Sequence, residues 1–246
     1  MLFCYSLIRR RIESMPARTG FRKCICLPLL LLFVLGWSSV AVSAQEKEKQ
    51  EAKFRWAFCA IRGSSQASKV EPVTRNLVLK SGDKLKMMIE LRRKCFVYLI
   101  HRSSQGNVTL LFPYTLKQFD ADYRQDTRYY VPRGDAWFQL DDKAGKETFY
   151  LLASDQRMLD IEYAYDRYVA SDVSKKEDLA EQILARIDEI HQQTLAAAGP
   201  EKMLAKTDTS RGFERATGAE PTDISGLAGD IAFTNVYSET FVIEHR

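Results

Sequence analysis

Short apolar segments, each bounded by turn-forming residues, recur every 8 to 15 positions between residues 84 and 153. The clearest is KLKMMIEL at residues 84–91, where apolar residues at odd positions alternate with mostly charged residues at even positions. A period of two predicts a β-strand with one face in the core and the other face mostly in water. Several short strands at this spacing predict a sandwich-like sheet rather than alternating strands and helices.

A buried hairpin is predicted over residues 96–114, which read FVYLIHRSSQGNVTLLFPY. Residues 95–100 are apolar on both faces, as is typical of a strand inside a sheet that is covered on two sides. The loop at residues 103–107 contains glycine and asparagine, which tolerate positive φ. Pro113 ends the return strand because it has no N–H to donate.

Two helices are predicted after the strands. The first is expected to be capped by Ser154, and its apolar face comprises Met158, Ile161, Tyr165 and Tyr168. The second opens on a capping-box pattern at residues 174–177. Its apolar stripe comprises Leu179, Ile183, Ile187 and Ile190. A single stripe without sustained heptads indicates a docking face rather than a coiled coil. The predicted fold class is mainly β (α+β), an antiparallel β-sandwich-like domain with two C-terminal helices packed on it.

The chain is expected to contain, in order, a signal peptide, a polar spacer, a β-rich domain, a helical pair, a surface loop and closing β-strands. In the same order, these segments cover residues 1–44, 45–53, 54–154, 155–198, 199–230 and 231–246.

The leader has a basic segment, an apolar run over residues 24–37 and a stretch of small residues that ends at Ala44. Val42 and Ala44 fit the small-residue cleavage pattern before Gln45. Because an apolar run of about 14 residues is short for a membrane span, cleavage and release to the periplasm or the exterior are expected. The alternatives are an uncleaved N-terminal anchor and a true start at Met15 rather than Met1.

The excess of positive charge belongs to this leader. Its 44 residues carry six basic side chains and one acidic side chain, whereas the remainder carries 30 basic and 31 acidic ones. A nearly neutral mature chain argues against a nucleic-acid partner.

Only Cys59 and Cys95 remain after cleavage at residue 44. An exported compartment is oxidising, so a disulfide between them is one interpretation. Two buried free thiols are the other, because both residues lie in apolar, strand-like segments.

No arrangement of residues for catalysis or metal binding is visible in the sequence. His101 is expected at a strand end without an orienting acid or a nucleophile, and its role is predicted to be structural. No His-x-His, His-x-x-x-His or Cys-x-x-Cys spacing occurs, so no metal site is expected. Phosphate-cradling glycine loops are also absent from the sequence. No cofactor is predicted, and the protein is predicted not to be an enzyme.

Residues 112–138 interleave eight aromatic rings with four cationic side chains. Aromatic and arginine side chains can bind sugars, bases or a protein partner. The candidate binding residues are Tyr114, Tyr123, Arg124, Arg128 and Trp137, of which Tyr114, Tyr123 and Arg124 are expected to be exposed. The alternative is that most of these rings pack in the core.

The same part of the sequence resembles the uncharacterised bacterial family known as domain of unknown function 4384. The resemblance covers about residues 75–155 and rests on Gly82-Asp83 before a strand, the strand at residues 97–99, residues 106–113 with the VTLLFP motif, and Pro132-Arg133-Gly134. It implies an exported or envelope-associated β module and supplies no catalytic residue.

Together these features predict an exported, non-catalytic envelope module for protein interaction or sensing. A carbohydrate or peptidoglycan binding module is the alternative, and an envelope hydrolase comes third. The expected partner is therefore an unknown protein or a cell-wall glycan.

Overall fold

The computed structural model describes residues 51–63, 70–73, 75–198 and 223–246. The predicted signal peptide, its cleavage position between Ala44 and Gln45, and residues 199–222 of the predicted loop lie outside the described residues. The described residues all belong to one compact unit, Lys47–Arg246. Among them, no helix is both long enough and apolar enough to cross a membrane.

The described residues form eleven strands, three α-helices and one 3₁₀ turn. The strands are β1 (Ala52–Ile61), β2 (Val70–Pro72), β3 (Asn76–Leu79), β4 (Lys84–Leu91), β5 (Phe96–Arg102), β6 (Val108–Phe112), β7 (Arg128–Val131), β8 (Phe138–Gln139), β9 (Gly145–Ser154), β10 (Gly229–Phe233) and β11 (Val236–His245). The helices are α1 (Gln118–Ala121), α2 (Leu159–Ala170) and α3 (Val173–Ala198), and the 3₁₀ turn is Ser225–Leu227.

The strands form two sheets. The six-stranded sheet has the order β10-β1-β4-β7, with β2 paired to β1 and β8 paired to β4. The five-stranded sheet has the order β3-β11-β9-β5-β6. All pairs are antiparallel except β3 with β11. The two C-terminal strands join different sheets, because β10 pairs with β1 whereas β11 lies between β3 and β9.

The main core lies between the two sheets, and the sandwich-like prediction is confirmed. Inward-facing side chains of β4, such as Leu85, Met87 and Ile89, pack there with Leu99 of β5 and Leu151 of β9. Burial of such apolar side chains is the main force that holds the two layers together.

A second core lies between the five-stranded sheet and the two long helices. The predicted stripe of α3, including Ile183 and Ile187, is buried there with Tyr168 of α2. The predicted caps are wrong. Ser154 is the last residue of β9, and α2 instead begins after Met158. Ser174 already lies inside α3.

The prediction that β4 has a wet face is also wrong. Lys86 and Met88 are fully buried, and Glu90 is 4% exposed. Ile224 packs with Met88 on this side of the sheet, and the segment around the 3₁₀ turn contributes Leu227. Because this cover comes from residues more than 130 positions away, the local pattern of β4 could not predict it.

Cys59 and Cys95 are both free and buried. The Cys95 sulfur lies 3.9 Å from the carbonyl oxygen of Lys53 at the start of β1. Cys59 lies six residues farther along the same strand, which is about 20 Å at the usual rise per residue. Disulfide bonding requires Cα atoms within about 7 Å, so the structure contains two buried thiols rather than a bridge.

Both thiols are expected to be inert in the folded protein. Burial raises the pKa of each thiol to about 12, and the thiolate is the reactive form. Ellman's reagent at pH 8 should therefore label neither cysteine until denaturant is added. Rapid labelling of either residue before unfolding would contradict this expectation.

Candidate functional site

The aromatic segment packs largely as a core. Tyr123, expected to be exposed, packs among other rings, with its centroid 4.8 Å from that of Phe119 and 6.0 Å from that of Phe112. Burial raises its pKa well above the ordinary value of 10.0. Tyr114 is also partly buried and contacts Phe112 edge-to-face at 5.5 Å. The prediction that these two tyrosines are exposed is therefore wrong.

Three tyrosine hydroxyl groups of this segment form hydrogen bonds with the backbone. Tyr123 accepts a hydrogen bond from the Val97 N–H at 2.8 Å, and Tyr129 accepts one from the Arg124 N–H at 2.7 Å. Tyr114 donates to the carbonyl oxygen of Tyr130 at 2.6 Å. Buried tyrosines commonly combine an apolar ring with a hydrogen-bonded hydroxyl. These three residues therefore stabilise the backbone of the aromatic segment against the sandwich.

The remaining candidates contact different partners. The Arg124 side chain is 75% exposed and pairs with Asp122. Arg128 contacts Asp223 and Glu90 on the outer side of the six-stranded sheet. Trp137 is partly buried near the Lys86 ammonium, whose nitrogen is 5.6 Å from its ring centroid. The structure therefore does not bring the predicted residues together as one aromatic platform.

His101 has the orienting acid that the sequence did not reveal. Its Nε2 atom is 2.6 Å from a carboxylate oxygen of Glu147, and its ring stacks on Phe149 with centroids 4.7 Å apart. The other oxygen of Glu147 accepts the Ser104 N–H at 3.1 Å. Among the described residues, no hydroxyl or thiol hydrogen-bonds to His101, so the pair has a carboxylate and an imidazole but no attached nucleophile.

The Glu147→Gln variant is expected to lower the pKa of His101 further. Burial lowers this pKa below its ordinary value of 6.5, whereas the hydrogen bond and charge of Glu147 raise it. His101 therefore binds its proton more tightly in the unfolded state than in the folded state. Its protonation favours unfolding, so the free energy of unfolding decreases as the pH falls below about 6.5. NMR titration of the His101 ring proton would measure both proteins, and an unchanged or higher pKa in the variant would contradict the assignment.

A polar cavity lies on the other face of the same sheet end. Its volume is about 390 Å³. The hairpin loop, three sheet strands and α3 line it through Arg102, Ser103, Ser104, Gly106, Lys146, Thr148, Tyr150, Asp188, Thr240 and Val242.

Strand register assembles this cavity. Arg102 of β5 lies opposite Thr148 of β9, which in turn lies opposite Val242 of β11. The next row joins Tyr150 to Thr240. Side chains directly opposite on one face lie about 5 Å apart, so residues distant in sequence form one continuous surface.

The cavity contains two cationic side chains and one carboxylate. Arg102 and Asp188 both lie near the Tyr150 hydroxyl, where the positive charge lowers the pKa of Tyr150 and the negative charge raises it. Burial is the main cause that raises the pKa of Tyr150, so the hydroxyl remains a neutral donor and acceptor near pH 7. Lys146 supplies the second positive charge. The arrangement therefore offers hydrogen bonds and a net positive charge.

Glu147 and Gly145 position the hairpin loop that forms one wall. Glu147 holds the Ser104 N–H from the inner side of the sheet. Gly145 has φ +155, and an added Cβ there would lie only 2.3 Å from the Cβ of Ser104. Only glycine permits this close approach, so the loop rests directly on the start of β9.

Sequence reasoning missed the cavity residues. The alternation of Thr148 and Tyr150 with apolar neighbours in β9 was a weak signal, but it does not identify the facing residues of β11 or α3. Among the described residues, no group of three or more His, Cys, Asp or Glu side chains is placed to hold a metal ion.

Residues 78–157 match the family model described as Domain of unknown function (DUF4384). This match confirms the resemblance that the sequence motifs indicated over about residues 75–155. It begins in β3 and ends just before α2, so β1, both long helices and the C-terminal strands lie outside it. No curated protein matches the chain.

Proposed function

We propose that the protein is an exported, non-catalytic envelope module that senses its surroundings by binding an acidic saccharide in the polar cavity. The proposal rests on one observation: a concave site of about 390 Å³ combines several hydroxyl groups with an excess of positive charge. Such a volume suits a small ligand.

The chemistry of the lining favours a polyhydroxylated ligand. Hydroxyls of Ser103, Ser104, Thr148, Tyr150 and Thr240 can each donate and accept hydrogen bonds. A sugar ring carries hydroxyls of the same dual character. An apolar ligand would offer these groups no hydrogen bonds, which is unfavourable in a concave site.

The charges favour an acidic sugar over a neutral one. Arg102 presents a planar guanidinium that can bind a carboxylate through two parallel hydrogen bonds. Lys146 adds a second cation, and Asp188 can accept bonds from sugar hydroxyls. A glycan that bears free carboxylates, such as a peptidoglycan strand without its peptide stems, meets both requirements.

Protein contact through the aromatic segment has less support. Most of its tyrosines are engaged in packing and hydrogen bonds. Arg124 and Arg128 pair with nearby acids, and Arg133 lies over the Tyr114 ring. The cavity suits a sensing role, because a single bound ligand would contact the β5–β6 hairpin, the sheet and α3 at once.

The test is NMR titration with two peptidoglycan sugars that differ in charge. N-acetylmuramic acid carries a carboxylate, whereas N-acetylglucosamine is its neutral control. We expect shifts at Arg102, Thr148 and Tyr150 with the acid and weaker binding of the neutral sugar. Because a hydrogen bond to a charged group contributes about 1.5–3 kcal/mol, Arg102→Ala should weaken binding at least tenfold.

Arg124→Ala is the matched control, because it removes an arginine that is exposed outside the cavity. It should leave binding unchanged. Equal affinity for the two sugars, or unchanged binding in Arg102→Ala, would refute the proposed site. Separately, mass spectrometry of secreted protein should find an N-terminus at Gln45, and an intact leader would contradict release by cleavage.

A further inference from the structure

The polar cavity is lined by three charged side chains that have no ionic partner in the described part of the chain. They are Arg102, Lys146 and Asp188, and all three are exposed. Glu244, which lies opposite Lys146 in the sheet, pairs instead with Arg246 at 2.9 Å. The cavity therefore presents both signs of charge to a ligand.

Asp188 is held at the cavity by the docking of α3. It directly follows Ile187, which is buried between the helix and the sheet. The nearest arginine along the helix, Arg186, pairs with Glu189 at 2.6 Å and also with Asp160 of α2. The carboxylate of Asp188 therefore stays available to a ligand.

The two signs of charge lie close to each other in the cavity. Arg102 and Asp188 both affect the pKa of the Tyr150 hydroxyl, the first lowering it and the second raising it, so both lie near that one group. A ligand that contacts both must carry a negative group and a positive group a few bonds apart. A carboxylate can bind Arg102, and an ammonium group, which has three donors and no acceptor, can bind Asp188.

We infer that the ligand of this cavity is an amino sugar that carries both a carboxylate and a free ammonium group. The inference rests on the proposed function and narrows its ligand from acidic saccharides in general to zwitterionic ones. Arg102 and Lys146 bind the carboxylate, and Asp188 binds the ammonium group. Muramic acid has this form, because its amine and its lactyl ether lie on neighbouring ring carbons.

The net charge of the cavity by itself predicts the opposite preference. Two cations and one acid line the site, so the site as a whole repels an added ammonium group. Tighter binding of a sugar with a free amine must therefore come from a direct contact with Asp188. This separates the inference from general attraction between charges.

The test is NMR titration of the protein with four sugars that combine the two charges in every way. Muramic acid carries both charges, N-acetylmuramic acid only the carboxylate, glucosamine only the ammonium group, and N-acetylglucosamine neither. At about pH 6, where such an amine is protonated, muramic acid should bind about threefold more tightly than N-acetylmuramic acid, which is the scale of one exposed ion pair. Asp188→Asn should remove this preference while N-acetylmuramic acid still binds.

Glu189→Gln is the matched control, because it removes the neighbouring carboxylate of α3, which does not line the cavity. It should keep the preference for muramic acid. The inference is overturned, and the proposed function stands, if N-acetylmuramic acid outcompetes N-acetylglucosamine but muramic acid binds no more tightly than N-acetylmuramic acid. A preference that survives Asp188→Asn also overturns it. Failure of both acids to bind would instead remove the proposed site, and this inference with it.

Discussion

Replacing Lys86 by alanine is expected to lower the free energy of unfolding by about 3 kcal/mol, because it deletes a fully buried side chain and two hydrogen bonds from its charged end. The Lys86 side chain is fully buried. Its ammonium donates to the carbonyl oxygens of Gly134 and Ala136, both at 2.7 Å. The rings of Tyr130 and Trp137 lie 5.5 and 5.6 Å from the same nitrogen. Urea denaturation of the purified protein would measure the loss.

Lys86→Met is the informative comparison. Methionine retains much of the apolar stem but removes the buried charge, whose desolvation is costly. We therefore expect Lys86→Met to lose less stability than Lys86→Ala. A change below about 0.5 kcal/mol in Lys86→Ala, the range typical of surface substitutions, would show that the loop at residues 132–136 is not held by this lysine.

Replacing Tyr123 by alanine is expected to lower the free energy of unfolding by about 3–5 kcal/mol, as is usual for deleting a large aromatic side chain from a core. The ring packs between those of Phe119 and Tyr129. Its hydroxyl also accepts the Val97 N–H. Tyr123→Phe should lose only about 1–3 kcal/mol, because it leaves that N–H unpaired but preserves the packing.

Arg124→Ala serves as the neighbouring control. Its side chain is 75% exposed and its partner Asp122 is 72% exposed, so the change should stay within about 0.5 kcal/mol. Differential scanning calorimetry would compare the three variants. If Tyr123→Ala is as stable as Arg124→Ala, the ring is available for binding rather than used for packing.

The positions of most of the longer strands followed from local sequence. The alternation in β4 placed Leu85, Met87 and Ile89 in the core correctly, because a period of two forces alternate side chains to one face. The same alternation gave the wrong environment for Lys86, because hydropathy cannot reveal that a distant loop covers the outer face. Its buried ammonium is satisfied by carbonyl groups about 50 residues away.

For the helices, the sequence predicted the buried faces correctly but the first residues wrongly. The stripe that includes Ile183 and Ile187 identified the buried face of α3 correctly. Ser154 failed as a helix cap because β9 continues through it to pair with Phe96 of β5 and Val236 of β11. Tertiary pairing therefore outweighed a local capping preference.

The candidate site depended on strand register. His101 meets Glu147, 46 residues away, because β5 pairs with β9. The cavity additionally needs Thr240, which reaches it only because β11 enters the sheet between β3 and β9. No residue spacing in the sequence indicates which of these strands pair.

The sequence by itself determined most of the longer strands, the two long helices and the core-facing sides of these elements, since these properties depend on residues within one or two turns or pleats. It did not predict β2, β3 or α1. Only the tertiary structure decided which polar groups lie together. The reason is that register between distant strands is set by the packing of the whole core, and a shift of one residue turns every side chain to the other face.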